Sequence, residues 1–318
     1  MAIVVRQQMT QIIRVRTLAN PVIQFTPKPS YFMNDSRPFE SRSSPPQDKR
    51  LRRLLLTGAA GTLGRFLRPR LHASCGHLLL SDRSSCGTLG AHESEQICDL
   101  ADRAAMQALL QEVDGVVHLG GVSVENPFEQ IAASNLHGVF NLYEAARLNG
   151  CQRIVFASSN HTIGCYEQGQ PLSVGDQPRP DGYYGVSKLF GENMAQLYWD
   201  RYGIETVSLR IGTATPEPED RRALSTWISP DDLERLVRAA LVAPGVGCLT
   251  VYGVSANSAG WWSDEGWSQI GYVPQDNAEA WRERVQGIDF AAGTPMARLQ
   301  GGRFLGLGPF EPLPQGQP

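Results

Sequence analysis

Tyr184 and Lys188 stand four residues apart in Tyr184-Gly185-Val186-Ser187-Lys188. On a helix that spacing puts both side chains on one face, with ~5–6 Å between Cβ atoms. A phenol of ordinary pKa ~10 is a poor base at neutral pH. An ammonium beside it would stabilise the phenolate and make it a usable proton acceptor. The same spacing also occurs as an inert surface pair, so its meaning rests on context. The context is Ile154-Val155-Phe156-Ala157-Ser158-Ser159-Asn160-His161, an apolar run that would deliver Ser159 to the carboxyl edge of a sheet. There its hydroxyl can hold a reacting oxygen beside Tyr184; an N-cap or turn serine is the plainer reading. Asn135 lies inside a helical stretch, where asparagine is a poor fit. A buried hydrogen-bonding task, such as placing a water near Lys188, or a surface asparagine would each account for it.

A second motif supplies the redox partner. In Leu54-Leu55-Leu56-Thr57-Gly58-Ala59-Ala60-Gly61-Thr62-Leu63-Gly64 an apolar strand runs into glycines spaced three apart and then into a helix. Gly58 lets the chain turn tightly, Gly61 lets a pyrophosphate approach the backbone, and Gly64 lets the helix lie close to the sheet. The phosphates would meet free N–H groups at the helix start, Thr62 and Leu63 among them, and the positive end of the helix dipole. Asp82 ends the next apolar run, near the ~20-residue offset at which an acid binds the adenosine ribose. A carboxylate there repels a 2′-phosphate and favours NAD over NADP, although Arg83 beside it could pair with that phosphate. Asp99 and Leu100 suit either an adenine flank or, for Asp99, an N-cap for the segment from Ala101. His118-Leu119-Gly120-Gly121 suits a backbone passing close to the cofactor.

These groups need a scaffold that converges them. Candidate strands at 53–57, 77–81, 95–98, 115–119, 153–158, 205–211 and 249–253 alternate with helical stretches at 63–73, 103–111, 128–148, 184–202 and 231–243. That alternation predicts an α/β fold, a doubly wound parallel sheet covered on both faces. Ligands bind at the carboxyl edge of such sheets. Residues 213–228 and 256–274 read as loops and a small cap over that edge, and residues 51–318 as one Rossmann domain whose substrate part comes mainly from 213–228 and 256–318. At 318 residues with net charge −3 and no long basic run, the chain is not expected to bind nucleic acid. No apolar run is long enough for a membrane span. Six cysteines, at 75, 86, 98, 151, 165 and 248, show no metal-ligand spacing and read as reduced thiols of a cytoplasmic protein, with no metal expected. A homo-oligomer is expected on general grounds. Residues 1–50 begin with an Arg-rich, acid-free stretch and read as a tail or as sequence ahead of a true start at Met33; a transit-type peptide is the alternative.

From about Arg53 to Phe304 the chain resembles the extended short-chain dehydrogenase/reductase family, and within it the NAD-dependent uronate dehydrogenases. The strings that carry the resemblance are His118-Leu119-Gly120-Gly121-Val122-Ser123-Val124-Glu125, Phe156-Ala157-Ser158-Ser159-Asn160-His161-Thr162-Ile163-Gly164 and Arg222-Ala223-Leu224-Ser225-Thr226-Trp227. Nucleotide-sugar epimerases of the same superfamily carry Ser-Ser-x-x-Val-Tyr-Gly after the fifth strand, which Asn160-His161 and Gly164-Cys165 replace here. The resemblance implies Tyr184 as base, Lys188 as its electrostatic partner and a ribose ligand, and Ser159 as an orienting donor. It places Ile211 and Gly212 beside the nicotinamide, and Ser123, Asn160, His161, Thr213 and Arg222 around a sugar acid. Taken alone, His161 reads as a satisfied structural histidine and Arg222 as a surface arginine. The implied reaction is oxidation of a free hexuronic acid at C1 to an aldarolactone with NAD. A nucleotide-sugar epimerase or dehydratase and a non-catalytic NAD(H) sensor are the alternatives.

Overall fold

Three consecutive leucines show how the sheet is held. Leu54, Leu55 and Leu56 are fully buried, yet Leu54 and Leu56 belong to one apolar cluster and Leu55 to another on the opposite face. Side chains alternate along a strand, so only a sheet covered on both sides can bury all three. Each contributes ~1.5–3 kcal/mol by burial, and Leu55→Ala would cost ~2–5 kcal/mol.

The computed structural model describes residues 50–308. The expectations for the N-terminal tail and for a start at Met33 lie outside the described residues. The sheet has seven strands: β1 (Leu51–Thr57), β2 (Cys75–Asp82), β3 (Glu93–Ile97), β4 (Gly115–His118), β5 (Arg153–Ser159), β6 (Glu205–Ile211) and β7 (Cys248–Gly253). Their order is β3-β2-β1-β4-β5-β6-β7 and every pairing is parallel. The order reverses between β1 and β4, which opens a crevice at their carboxyl ends. The helices up to β7 are α1 (Thr62–Leu71), α2 (Arg103–Leu109), α3 (Phe128–Ile131), α4 (Gly138–Asn149), α5 (Tyr183–Tyr202), α6 (Ala223–Thr226) and α7 (Pro230–Val242); three single-turn helices follow β7. Among the described residues no helix is long and apolar enough to cross a membrane.

Three sequence expectations change. The helix expected over 128–148 is α3 and α4 joined by a π-helical turn, Ala132–His137, which carries Asn135. Strand β3 starts at Glu93 and ends at Ile97, leaving Cys98 outside it; it pairs only with β2, and its polar sequence lacks the apolar signature of a central strand. The segment 256–274 packs behind β7, with Trp262 stacked on Tyr252 at 5.1 Å and the Trp267 indole donating to the Tyr252 carbonyl. It contributes no wall to the cleft at the carboxyl edge.

Candidate active site

The glycine turn has the geometry its spacing predicts. Gly58 has φ +68°, and a Cβ there would lie 2.7 Å from the Gly120 nitrogen. A Cβ on Gly64 would lie 2.2 Å from the Gly58 carbonyl, so α1 can pack this tightly only with glycine. Gly61 differs: its only near neighbour would be the Gly58 carbonyl at 3.2 Å, which leaves the side facing the cleft open. Asp82 braces the turn, its Oδ2 accepting from the Ala60 N–H (3.1 Å) and its Oδ1 from the Arg83 N–H (2.7 Å). Asp99 accepts from the Ala101 N–H, but the N-cap of α2 is Asp102, which accepts from Ala105. Asp99 therefore shapes the turn into the helix and does not cap it. The fit to a dinucleotide rests on this cradle: open backbone at Gly61, N–H groups at the start of α1, and carboxylate and apolar walls at Asp82, Asp99 and Leu100.

Tyr184 and Lys188 lie in the first turns of α5. Gly182 supplies no capping side chain; the Glu125 carboxylate does, accepting from the Tyr183 and Tyr184 N–H groups, each at 3.0 Å. A negative charge suits a helix N-terminus, and a Cβ on Gly182 would lie 2.1 Å from Glu125 Oε2. The Lys188 Nζ sits 5.4 Å from the Tyr184 ring centroid and 5.2 Å from that of Phe156. Burial pushes the Lys188 amine down to about 8. It pushes the Tyr184 phenol up to about 12, against which the Ser159 hydroxyl pulls downward. Ser159 also accepts from the His161 N–H at 3.2 Å, the turn-capping role of the plainer reading. Asn135 does carry a buried hydrogen-bonding task, with partners other than the expected one. It accepts from the Val122 N–H (2.8 Å) and donates to the Val122 carbonyl (3.0 Å) and Ser187 Oγ (2.9 Å). The π-turn aims this side chain so that it stitches the loop after β4 to the catalytic helix.

The far wall comes from the chain after β6. A Cβ on Gly212 would lie 2.0 Å from the Thr226 carbonyl, so the strand end passes directly under the 213–228 loop. Arg222 turns inward and is only partly exposed, contrary to its reading as a surface residue; Arg221 beside it is exposed and pairs with Asp289. The Arg222 Nε donates to the Gln300 carbonyl (2.5 Å), and Nη1 to Thr213 Oγ1 (3.1 Å) and Thr226 Oγ1 (3.3 Å). With the Asn160 amide oriented so that its nitrogen donates to the Ile211 carbonyl, its oxygen accepts from Arg222 Nη2 at 2.8 Å. Desolvation lowers the guanidinium to about 10, with Asp220 and Asp181 opposing it. It remains a cation at neutral pH.

The glycine turn, the start of α5 and the far wall meet at one cleft of about 650 Å³, a size usual for ligand sites. The candidates named from the sequence reach it, Asn135 excepted: the Gly58–Gly64 turn, Asp82, Asp99, Leu100, Leu119–Gly121, Ser123, Ser159–His161, Tyr184, Lys188, Ile211–Thr213 and Arg222. Four residues in or behind the cleft were not named from the sequence. Arg303 and Phe304 come from the last described turn, Phe304 stacking on the His161 ring at 3.6 Å. Asp181 lies behind His161. Gln300 holds that C-terminal strap in place, its amide donating to the Glu167 and Gln170 carbonyls and accepting from the Trp262 indole. None of these residues belongs to a short motif; the signal nearest to them in the sequence is glycine, at 164 and 301, where a Cβ would meet Asp181.

Comparison with known proteins agrees with this geometry. The NAD dependent epimerase/dehydratase family matches residues 54–230. A uronate dehydrogenase of Pseudomonas syringae pv. tomato is 50% identical over 260 residues, covering 81% of this chain and 94% of that one. The crystal structure of uronate dehydrogenase from Agrobacterium tumefaciens aligns with TM-score 0.80 at 49% identity, covering 83% of this chain and all (100%) of that one. A tyrosine-to-alanine variant of that enzyme complexed with NAD aligns at 0.79 and 49%, covering 82% and 99%. The chain therefore belongs to the NAD dependent epimerase/dehydratase family, in its uronate dehydrogenase branch.

Proposed function

We propose that the cleft oxidises a free cyclic hexuronic acid, D-galacturonate or D-glucuronate, at C1 to the aldarolactone with NAD. One observation carries this reading: Arg222, a cation whose bonds all go to neutral oxygens, sits in the same cleft as Ser159 and Tyr184. Desolvated charge is costly unless compensated, and a substrate carboxylate supplies the missing negative charge. Ser123, Asn160, His161 and Thr213 offer the hydrogen-bonding groups that sugar hydroxyls require.

NAD⁺ bound along the glycine turn supplies the hydride acceptor for C1. The remaining work falls to the chain. Ser159 orients the C1 hydroxyl, Tyr184 takes its proton, and the Lys188 ammonium stabilises the phenolate. Glu125 and Asn135 fix the helix on which both groups ride. Asp82 would favour the unphosphorylated adenosine ribose, and Ile211 and Gly212, which line the cleft, would lie beside the nicotinamide. We also infer one functional unit from residues 51–318, a homo-oligomer, and a reducing compartment, the last supported by six free thiols. The test of the reaction is product identity by ¹³C NMR with ¹³C1-labelled galacturonate. A lactone carbonyl at C1, hydrolysing to the diacid, is expected; a keto sugar or an epimer would overturn the reading.

A further inference from the structure

We propose that Asp181 is a positioning residue that locks His161 in the tautomer presenting Nε2 as a hydrogen-bond acceptor to a hydroxyl of the bound sugar acid. This deepens the reading above and rests on it for the identity of the sugar.

The Asp181 side chain is 2% exposed, and its Oδ2 lies 2.6 Å from His161 Nδ1. Two other segments leave room for that carboxylate. A Cβ on Gly164 would lie 1.9 Å from Asp181 Oδ2, and a Cβ on Gly301 would lie 2.0 Å from it. The imidazole is fixed on its other sides as well. It stacks on Phe304 at 3.6 Å and meets the Tyr184 ring edge-on at 5.8 Å. Gly185 lets the His161 carbonyl approach, since a Cβ there would lie 2.2 Å from it.

An ionised carboxylate only accepts hydrogen bonds. Facing it, Nδ1 carries a proton, and a ring with that one proton keeps its lone pair on Nε2. Among the described residues no group bonds to Nε2, and His161 lines the cleft. The charged and titratable groups around the pair are Tyr184 on α5, Cys165 beyond Gly164, Arg222 on the far wall and Arg303 on the strap. Arg222 attracts Asp181 and already donates to Asn160, so the pocket pairs an anion-reading side with a hydroxyl-reading side. A ring free to switch tautomer would offer a donor where the hydroxyl must donate.

Asp181→Asn keeps the shape but allows an amide N–H to face Nδ1, which stabilises the other tautomer. Imidazole ¹H–¹⁵N correlation spectra of the NAD⁺-saturated protein should show His161 protonated on Nδ1 in the wild type and on Nε2 in Asp181→Asn. The KM for galacturonate should rise about tenfold or more, as for one lost hydrogen bond, while the KM for NAD⁺ stays within about twofold. Gly301→Ala is a second probe. Its φ of −67° suits alanine, so the added Cβ acts by displacing the Asp181 carboxylate, and the same selective KM rise is expected. A wild-type ring protonated on Nε2, or an unchanged uronate KM in a variant whose tautomer has switched, would overturn the proposal. Should the wild type oxidise a different sugar, the substrate reading falls. The tautomer and the KM for that sugar would then still decide the role of Asp181.

Discussion

Replacing Arg222 separates recognition of an acid from recognition of a sugar. A guanidinium has five N–H donors. In the structure Nε is spent on Gln300, both Nη1 positions on Thr213 and Thr226, and one Nη2 position on Asn160. A single Nη2 donor is left, so the bidentate fork is used by the protein and one charge-assisted bond remains for the substrate. Such a bond is worth ~1.5–3 kcal/mol, so Arg222→Ala should lower kcat/KM for galacturonate by roughly 10- to 100-fold. The same change strands the buried Gln300 carbonyl and loosens the strap, at ~1–3 kcal/mol of stability. Any damage from the strap falls on acid and aldose alike. The assay is therefore the ratio of kcat/KM for galacturonate to that for galactose, measured in wild type, Arg222→Ala and Arg222→Lys. The ratio should collapse in the alanine variant and recover only in part with lysine, whose ammonium cannot bond Gln300, Thr213 and Asn160 together. An equal loss for acid and aldose would refute the reasoning and leave Arg222 as a brace of the loop.

Three further outcomes are expected. Tyr184→Phe should reduce turnover by ~10²-fold or more while the Kd for NAD⁺ by fluorescence titration holds, and Lys188→Ala should impair both; a Tyr184→Phe enzyme near wild-type rate would remove the proposed base. Wild type should prefer NAD⁺ to NADP⁺, and Asp82→Ala should narrow that preference while weakening NAD⁺ itself, because Asp82 also holds the Ala60 and Arg83 N–H groups; a wild type that favours NADP⁺ would assign the choice to Arg83. Glu93, bonded to Arg68 first and to the Gly90 N–H and His72, has its carboxyl lowered to about 2 from 4.5; a depressed acid stabilises the fold above the unfolded pKa and loses that contribution as pH falls from about 4.5 toward 2, on the order of 3 kcal/mol at most. Glu93→Gln should thus lower Tm clearly at pH 7 and much less at pH 3, and a gap that does not change with pH would contradict this.

What could be read from the sequence was local. Leu54–Leu56 and the glycines at 58, 61 and 64 act through their own backbone, so their spacing carries their geometry. The four-residue step from Tyr184 to Lys188 survives because α5 is a regular helix of 20 residues. The π-turn at Asn135 was not legible, since one extra residue per turn leaves the apolar pattern almost unchanged, and its cause is a partner loop 13 residues away. Strand β3 was misplaced because an edge strand of Glu, Ser and Gln lacks the apolar signature of its neighbours. Asp181, Gln300 and Phe304 become part of the site only when the C-terminal strap folds back over the turn after β5. That contact spans more than a hundred residues, and its traces in the sequence, the glycines at 164 and 301, resemble ordinary turn residues until the missing Cβ positions are seen to be filled by the Asp181 carboxylate.

Whether this cleft pairs NAD with a free sugar acid is decided by turnover. The most direct measurement is NADH formation at 340 nm with saturating NAD⁺ across galacturonate, glucuronate, galactose, glucose, UDP-glucose and UDP-galacturonate. Rapid NADH release is expected with one or both free uronates, far slower reaction with the neutral aldoses, and none with the nucleotide sugars. Turnover confined to a nucleotide sugar, or equal rates for galactose and galacturonate, would contradict it.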